Sequence, residues 1–341
     1  MTMSASIAVN GIGTIGKRVA RAIQHQPDME LAGIADVAAT GELRTVAQDG
    51  PLQDAPLYGA TEEGMETLRN AGFDVAGSLE GVLDDVHLVV DATPKGVDEQ
   101  NKQELYQPND VKAIFQGGAA NDIAPVKFNA NANYDAARGE DAVKVVSCNT
   151  TSLARLMDAL DSSIGVDRAT ASLVRRGGDP KQDGRGPINS VIPVHDVPSH
   201  HAPDVQEVMP GLDITTIAVK VPTTLAHVHM VNVDLASDVD RDTVIDLFHD
   251  TPRVELFSDD DGYGSAARVI ERMRDLERPR YDTHAAGIWE ETVAVEEGTL
   301  YWVNMVHQES IVTPDNIDAA RAMLDLADQD ESIERTDRSL A

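Results

Sequence analysis

The chain has 341 residues, 42% of them hydrophobic, so it is long enough to form two packed domains. Acidic residues outnumber basic ones by 58 to 28, and the resulting net charge of −30 disfavours nucleic acids and anionic membranes as partners. The sequence has no apolar leader, no run of about 18 apolar residues and only one cysteine. We therefore expect a soluble, cytoplasmic protein.

Near its start, a short apolar strand runs directly into a glycine-rich turn and a helical pattern. Residues 6–10 are predicted to form the strand, and Gly11, Gly13 and Gly16 follow with the spacing G-x-G-x-x-G. Such glycines allow a tight turn and a close approach to a pyrophosphate at the helix N-terminus. The next predicted strand ends at Asp36, where a carboxylate binds the ribose 2′-hydroxyl of NAD and repels the 2′-phosphate of NADP. An ordinary loop aspartate is the alternative.

Three further strands are predicted at residues 86–91, 111–115 and 143–147, each followed by small or polar residues. Parallel strands present ligands at their carboxyl ends, so Cys148 should share an edge with the dinucleotide. A helical pattern begins directly after Cys148, and a helix N-terminus favours a thiolate. The sequence therefore predicts a reactive nucleophile, although a buried and inert thiol is the commoner state of a lone cysteine.

Beyond Cys148 the pattern changes to long β-rich runs separated by polar connections. Strands are predicted at residues 169–176, 214–221, 227–235 and 301–306, with helices at 241–249 and 314–327. We therefore predict an α/β protein with an N-terminal Rossmann domain, which is a doubly wound parallel sheet. A second α+β domain on a mainly antiparallel sheet follows it.

Two polar clusters of the second half could bind anions. Arg175 and Arg176 end a predicted strand, and paired arginines bind phosphate oxygens well. Arginines that pair only with surface carboxylates are the ordinary alternative in so acidic a chain. His200 and His201 lie in a compact turn that is rich in hydrogen-bond donors.

His227 and His229 alternate on a predicted strand, so both imidazoles should lie on one face. Either could act as a catalytic base beside Cys148, because an imidazole with a pKa of about 6.5 takes a proton or pairs with a thiolate. The two could instead bind a metal with His200 or His201, although no carboxylate or cysteine stands at a familiar ligand spacing. A purely structural role is the ordinary alternative for His229.

Eight segments of the chain match one known family in order. They are residues 9–20, 91–97, 114–118, 145–151, 186–190, 198–201, 222–229 and 307–310. The sequence resembles the archaeal-type phosphorylating glyceraldehyde-3-phosphate dehydrogenases along nearly its whole length, and its acidity is similar to that of halophilic members. The resemblance implies a Rossmann domain at 1–148 with a returning helix at 308–341, a catalytic domain at 149–307, and a homotetramer.

The resemblance also implies a reaction and residue roles. D-Glyceraldehyde 3-phosphate would be oxidised with NAD(P) and inorganic phosphate to 1,3-bisphosphoglycerate, in glycolysis or gluconeogenesis, through a hemithioacetal and a thioester. Cys148 matches the nucleophile, His227 matches the base, and Ser147 and Asn149 flank the substrate. The phosphate- and cofactor-binding positions are matched by Arg175, Arg176, His200 and His201, and further cofactor contacts by Thr14, Ile15, Gly118 and Gln308. No metal is implied.

Three points stay open on the sequence alone. Asp36 departs from several relatives that carry lysine there and accept NADP readily, so dual cofactor use is in question. Rossmann enzymes with a cysteine nucleophile that reduce aspartyl or N-acetyl-glutamyl phosphates are the nearest alternative function. A noncatalytic NAD-binding redox sensor with Cys148 as its switch is a more distant one, since it leaves the His227 motif and the arginine pair unexplained.

Overall fold

The computed structural model describes residues 4–178 and 189–340, and the chain divides into two compact units. The first unit comprises Met1–Ser147 and Thr313–Ala341, and the second comprises Cys148–Val312. Residues 186–188, which belong to one of the segments that carry the family resemblance, lie outside the described ranges. No helix within those ranges is long and apolar enough to cross a membrane.

The first unit contains a parallel sheet with the strand order β4-β3-β2-β1-β5-β6-β8-β7. Its strands are β1 Ala5–Asn10, β2 Met29–Asp36, β3 Leu57–Gly59, β4 Gly77–Ser78, β5 Leu88–Asp91, β6 Lys112–Phe115, β7 Val126–Phe128 and β8 Ala142–Val145. Every strand pair in it is parallel, and β1 and β5 lie side by side where the order reverses. The predicted doubly wound sheet is confirmed.

Helices α1–α5 of the first unit lie between its strands in the chain, and α10 and α11 come after Val312, the last residue of the second unit. They are α1 Gly16–Gln24, α2 Gly41–Ala47, α3 Glu62–Asn70, α4 Val97–Asn101, α5 Ala130–Asn133, α10 Thr313–Met323 and α11 Gln329–Leu340. The prediction of one helix at 314–327 was wrong at its end, because Asp325 has a left-handed backbone with φ of 53°. Asp328 then caps α11 by accepting from the Glu331 N–H. The apolar Leu324 and Leu326 had extended the helical pattern across this break.

The second unit contains a mixed sheet with the order β10-β11-β9-β12-β16-β14-β13, and β15 pairs with β16. Its elements are α6 Cys148–Ser163, β9 Val166–Arg176, β10 Ile192–Pro193, α7 His201–Val208, β11 Ile214–Val221, β12 His227–Leu235, α8 Arg241–Asp250, β13 Val254–Phe257, α9 Ala266–Asp275, β14 Ala286–Trp289, β15 Ala294–Glu296 and β16 Thr299–Val306. Only the β11–β9 and β13–β14 pairs are parallel among those described. The predicted mainly antiparallel sheet is confirmed.

The inner face of this second sheet packs against α6, α7 and α8. Leu153, Leu156 and Leu160 of α6 are fully buried in one cluster with apolar residues of the strands. Trp302 lies at the centre of the cluster, with its ring edge-on to Phe248. This packing fixes α6, and therefore its first residue Cys148, against the sheet.

The outer face of the same sheet has three successive uncharged rows across its four central strands, and the next row carries the charged pair Arg168 and Asp234. Strand pairing aligns three rows of side chains, which are Ile217, Ser172, Met230 and Val303; Thr215, Thr170, Asn232 and Tyr301; and Val219, Val174, Val228 and Met305. Several of the apolar members are strongly exposed, with 45% of Ile217 and 43% of Met230 accessible. A chain with a net charge of −30 thus presents an extended neutral surface here.

Candidate active site

The glycine loop after β1 has the geometry of a dinucleotide site. Gly11 has φ of +88°, and a Cβ there would lie 2.9 Å from the carbonyl carbon of Ala92, which follows β5. A Cβ at Gly16 would lie 1.9 Å from the Gly11 carbonyl oxygen, whereas one at Gly13 would meet nothing within 4 Å. The first and third glycines are therefore required by the fold, and the second leaves room for a ligand at the point where the strand order reverses.

Asp36, at the end of β2, is tied to this loop. Its Oδ2 accepts from the Ile12 N–H at 2.9 Å, and its Oδ1 accepts from the Val37 N–H at 2.7 Å. In the described part of the chain, no side-chain hydrogen bond caps the N-terminus of α1 at Ile15. A fixed carboxylate, an open glycine and a helix N-terminus fit a bound dinucleotide.

The loop after β6 is pressed against the residue that precedes the cysteine. A Cβ at Gly117 would lie 2.6 Å from the Ser147 nitrogen, so only glycine fits there, while Gly118 has open space around its Cα. Gln116 Nε2 donates to Asn316 Oδ1 at 2.7 Å, which links this loop to α10. The backbone at Ser147 is therefore held in place by the first unit.

Cys148 is the first residue of α6, and the residue as a whole is partly exposed. Burial raises the thiol pKa to about 11, and the Asn149 backbone N–H and the Arg175 and Arg176 guanidiniums offset this only in part. The prediction of a lowered pKa was wrong for this state of the protein. The reason is that the effect of desolvation on the thiol pKa outweighs the effects of the helix terminus and the two cations.

His227 is buried, and its Nδ1 accepts from the Arg176 backbone N–H at 2.9 Å. Burial, together with His229 and the two nearby arginines, lowers the His227 pKa well below 6.5. The ring is therefore neutral, and because Nδ1 is an acceptor the proton lies on Nε2. No hydrogen bond joins this ring to Cys148 Sγ among the described residues, so the predicted thiolate–imidazolium pair is not formed.

Asn149 lies between two buried histidines. Its Oδ1 is 2.8 Å from His229 Nε2, and its Nδ2 is 3.2 Å from His201 Nε2. The other ring nitrogen of His201 is 3.0 Å from Ser199 Oγ. Since both nitrogens are occupied and burial lowers the His201 pKa to about 2, His201 has neither the charge nor the free donor of a phosphate ligand. The buried Asn149 side chain likewise faces histidines, and no local sequence pattern indicated either contact.

The two arginines, predicted to act as a pair, have different environments. Arg176 is buried and donates to Gln308 Oε1 at 2.6 Å, to the Thr224 carbonyl oxygen at 3.1 Å and to Glu309 Oε1 at 2.9 Å. Arg175 Nε is buried without a hydrogen-bond partner in the described ranges, and its charge acts on Cys148. Arg175 is thus the cation that remains for an anionic ligand, while Arg176 is held by a carboxylate.

The remaining predicted ligands lie near this centre. His200 is exposed, with its ring 3.9 Å from that of His201. His227 and His229 share the buried face of β12, as predicted, but their nitrogens contact a backbone amide and Asn149. The described structure also groups Asp282, His307 and Glu309, which sequence spacing had not suggested. Because Glu309 pairs with the Arg176 cation, this group is poorly suited to a metal ion.

Comparison with known proteins places this site in context. The family model for the C-terminal domain of glyceraldehyde 3-phosphate dehydrogenase matches residues 147–273. The chain is 46% identical to the glyceraldehyde-3-phosphate dehydrogenases of Thermococcus kodakarensis and Pyrococcus furiosus over 338 residues, which is 99% of each chain. It is 44% identical to that of Archaeoglobus fulgidus over 339 residues, covering 99% of this chain and 98% of the relative.

Proposed function

The chain belongs to the glyceraldehyde-3-phosphate dehydrogenase family of NAD(P)-dependent oxidoreductases, and we propose that it oxidises D-glyceraldehyde 3-phosphate to 1,3-bisphosphoglycerate with inorganic phosphate as co-substrate. The observation that carries this proposal is the position of Cys148. The lone thiol of the chain is on the first residue of α6 and lies in the field of two guanidiniums. This arrangement suits a sulfur that must attack a phosphorylated aldehyde.

Residues of the first unit would hold the cofactor. We propose that the amides of Thr14 and Ile15 and the open position at Gly13 receive the pyrophosphate, and that Asp36 accepts from the adenosine ribose 2′-hydroxyl. Gly118 has open space suited to the same ligand. NAD would be preferred over NADP because a fixed carboxylate repels a 2′-phosphate. When bound, the nicotinamide supplies the acceptor for the hydride that leaves the substrate carbon.

The first chemical steps would take place on Cys148. The ionised sulfur attacks the aldehyde carbon, and the C–S bond forms as the carbonyl electrons move to oxygen. His227, neutral with its proton on Nε2, would donate a hydrogen bond to this developing oxyanion, as neutral imidazoles do in other enzymes. Loss of hydride from the resulting alkoxide gives the thioester directly. The proton released in the reaction is the one that leaves the thiol, so His227 need not act as a base.

The final step would be attack of an inorganic phosphate oxygen on the thioester carbon, which expels the Cys148 thiolate and releases the acyl phosphate. Arg175 is the best candidate for holding a phosphate, since its guanidinium is half-buried and its Nε has no partner among the described residues. His200 is exposed directly before the first residue of α7 and could contribute a second donor. Ser147 would flank the substrate beside the sulfur.

The test is NAD reduction, followed by absorbance, with glyceraldehyde 3-phosphate in the presence and absence of inorganic phosphate. We expect reduction that requires phosphate, is faster with NAD than with NADP, and is lost in Cys148→Ser while NAD binding persists. Turnover by Cys148→Ser would refute the role of the thiol. Reduction without phosphate would indicate simple aldehyde oxidation, and reduction only with aspartate semialdehyde or N-acetyl-glutamate semialdehyde would assign a different substrate.

We further propose that copies of the chain associate in the cytoplasm as a homotetramer, with the outer face of the second sheet as one contact surface. The three uncharged rows on β11, β9, β12 and β16 support this, since a neutral apolar surface is unusual on so acidic a chain and a second copy presents the same surface. Met230→Lys, at the centre of the face, should reduce the mass in solution. An unchanged tetrameric mass would exclude this face as the contact, and a monomeric wild-type protein would refute assembly.

A further inference from the structure

A chain of hydrogen bonds between buried side chains ends at the residue that follows the nucleophile. Thr216 on β11 and Ser199 are joined through their hydroxyl oxygens at 2.8 Å, and Ser199 Oγ lies 3.0 Å from His201 Nδ1. His201 Nε2 meets the Asn149 amide nitrogen, and the amide oxygen meets His229 Nε2 on β12. All five side chains are buried.

One direction of donation satisfies all of these contacts. In it, the Thr216 hydroxyl donates to the Ser199 carbonyl oxygen at 3.1 Å, and Thr216 Oγ1 accepts from the Ser199 hydroxyl. Ser199 Oγ therefore accepts from His201 Nδ1, and His201 Nε2 accepts from Asn149. The amide oxygen is then left to accept from His229 Nε2. Both imidazoles are neutral with fixed tautomers, in agreement with the lowering of their pKa values by burial to about 2 and about 3.

We propose that His201 and His229 are positioning residues that clamp the Asn149 side chain and so fix the first turn of α6, which Cys148 begins. The clamp ties this turn to α7, β11 and β12 at once. A first turn that is held at both ends of a side chain keeps the sulfur beside the helix N-terminus, which favours the thiolate over the neutral thiol. The inference rests on the proposed function, in which this thiolate is the nucleophile.

The clamp matters because few groups oppose the rise in the thiol pKa that burial of the sulfur causes. Besides the Asn149 N–H, the charges that favour the thiolate are those of Arg175 and Arg176 on β9. Arg176 is already paired with Glu309, which offsets its charge. The histidines that face this region from α7 and β12 are neutral and add no cation. The N-terminus of α6, held by the clamp, is thus a principal means of increasing the thiolate population.

The test uses the single cysteine as its own probe, without substrate or cofactor. The rate of alkylation by iodoacetamide is measured against pH in the full-length protein, and it follows the thiolate fraction. His229→Phe, which removes the donor to Asn149, should raise the thiol pKa by about one unit and slow alkylation about tenfold below that pKa. Thr216→Val should act in the same direction and more weakly, and Thr216→Ser, which keeps the hydroxyl, should restore the wild-type profile.

A variant that merely loosens the fold would expose the thiol and accelerate alkylation, so slowing is specific to lost positioning. Wild-type or faster alkylation in both His229→Phe and Thr216→Val would overturn the proposal. Slowing of both, with rescue in Thr216→Ser, would establish it even if glyceraldehyde 3-phosphate were not a substrate. In that case the NAD reduction assay alone would refute the proposed function.

Discussion

Because several histidines are buried, we predict that the protein loses stability in mild acid. Burial lowers the pKa values of His201, His229 and His284 to about 2, about 3 and about 4 and that of His227 well below its usual value, whereas in the unfolded chain they lie near 6.5. The unfolded state therefore binds more protons below pH 6.5, and the free energy of unfolding falls as the pH falls. Between pH 7 and pH 5.5 each histidine costs about 1.2 kcal/mol, so the four together cost more than about 4 kcal/mol.

The size of this loss decides whether it can be seen. A typical domain has only about 5–15 kcal/mol of stability, so about 4 kcal/mol is a large share. One group acts in the opposite direction, because burial beside Asp161 raises the Asp158 pKa to about 6, and its protonation in the folded state offsets less than one histidine. Urea unfolding at fixed protein concentration and ionic strength, in steps from pH 7 to pH 5.5, measures the net slope.

Matched variants isolate the cause. His284→Gln, which removes one buried imidazole, should reduce the pH slope by about a third. His249→Gln should leave the slope unchanged, because the His249 side chain is 78% exposed on α8. A wild-type protein as stable at pH 5.5 as at pH 7 would refute the reasoning, and so would an equal effect of the two substitutions.

Further substitutions should distinguish residues to which the sequence analysis had assigned the same role. Gly16→Ala should destabilise the first unit, because its Cβ would lie 1.9 Å from a backbone oxygen, whereas Gly13→Ala should leave urea unfolding unchanged and weaken NAD binding in fluorescence titration. Arg176→Met should cost about 3–5 kcal/mol in urea unfolding because it strands a buried carboxylate, while Arg175→Met should leave stability nearly unchanged and raise KM for inorganic phosphate. Asp36→Asn should shift the ratio of kcat/KM for NAD and NADP about tenfold towards NADP, with no shift expected if the residue only shapes the loop.

Patterns of backbone and burial could be predicted from the sequence. The strands at residues 214–221 and 227–235 have the predicted bounds, and the shared face of His227 and His229 follows from strand alternation. The glycine loop was predictable for the same reason, since its spacing reflects steric limits that act over a few residues. These features could be predicted because each depends only on residues that are close together in the sequence.

Side-chain partners and charge states could not be predicted. His201 meets Asn149, 52 residues earlier, and Arg176 meets Glu309, 133 residues later, so no local pattern encodes these contacts. The helix-start argument for Cys148 gave the wrong direction of its pKa, because it weighed the helix terminus without the burial of the sulfur. The α11 helix was missed because its charged sequence offers few apolar positions for a periodic pattern.

A thiol with a pKa of about 11 also determines how the protein meets oxidants. At pH 7 about one sulfur in ten thousand is ionised, and peroxides react with thiolates rather than thiols. The only cysteine of the chain is thereby shielded from conversion to sulfenic acid while no substrate is bound. The same scarcity of thiolate slows attack on free aldehydes, so turnover depends on a substrate that is held beside the sulfur. The sulfur should therefore react with a bound ligand and not with free oxidants, and the ligand-free protein should keep its thiol reduced in air.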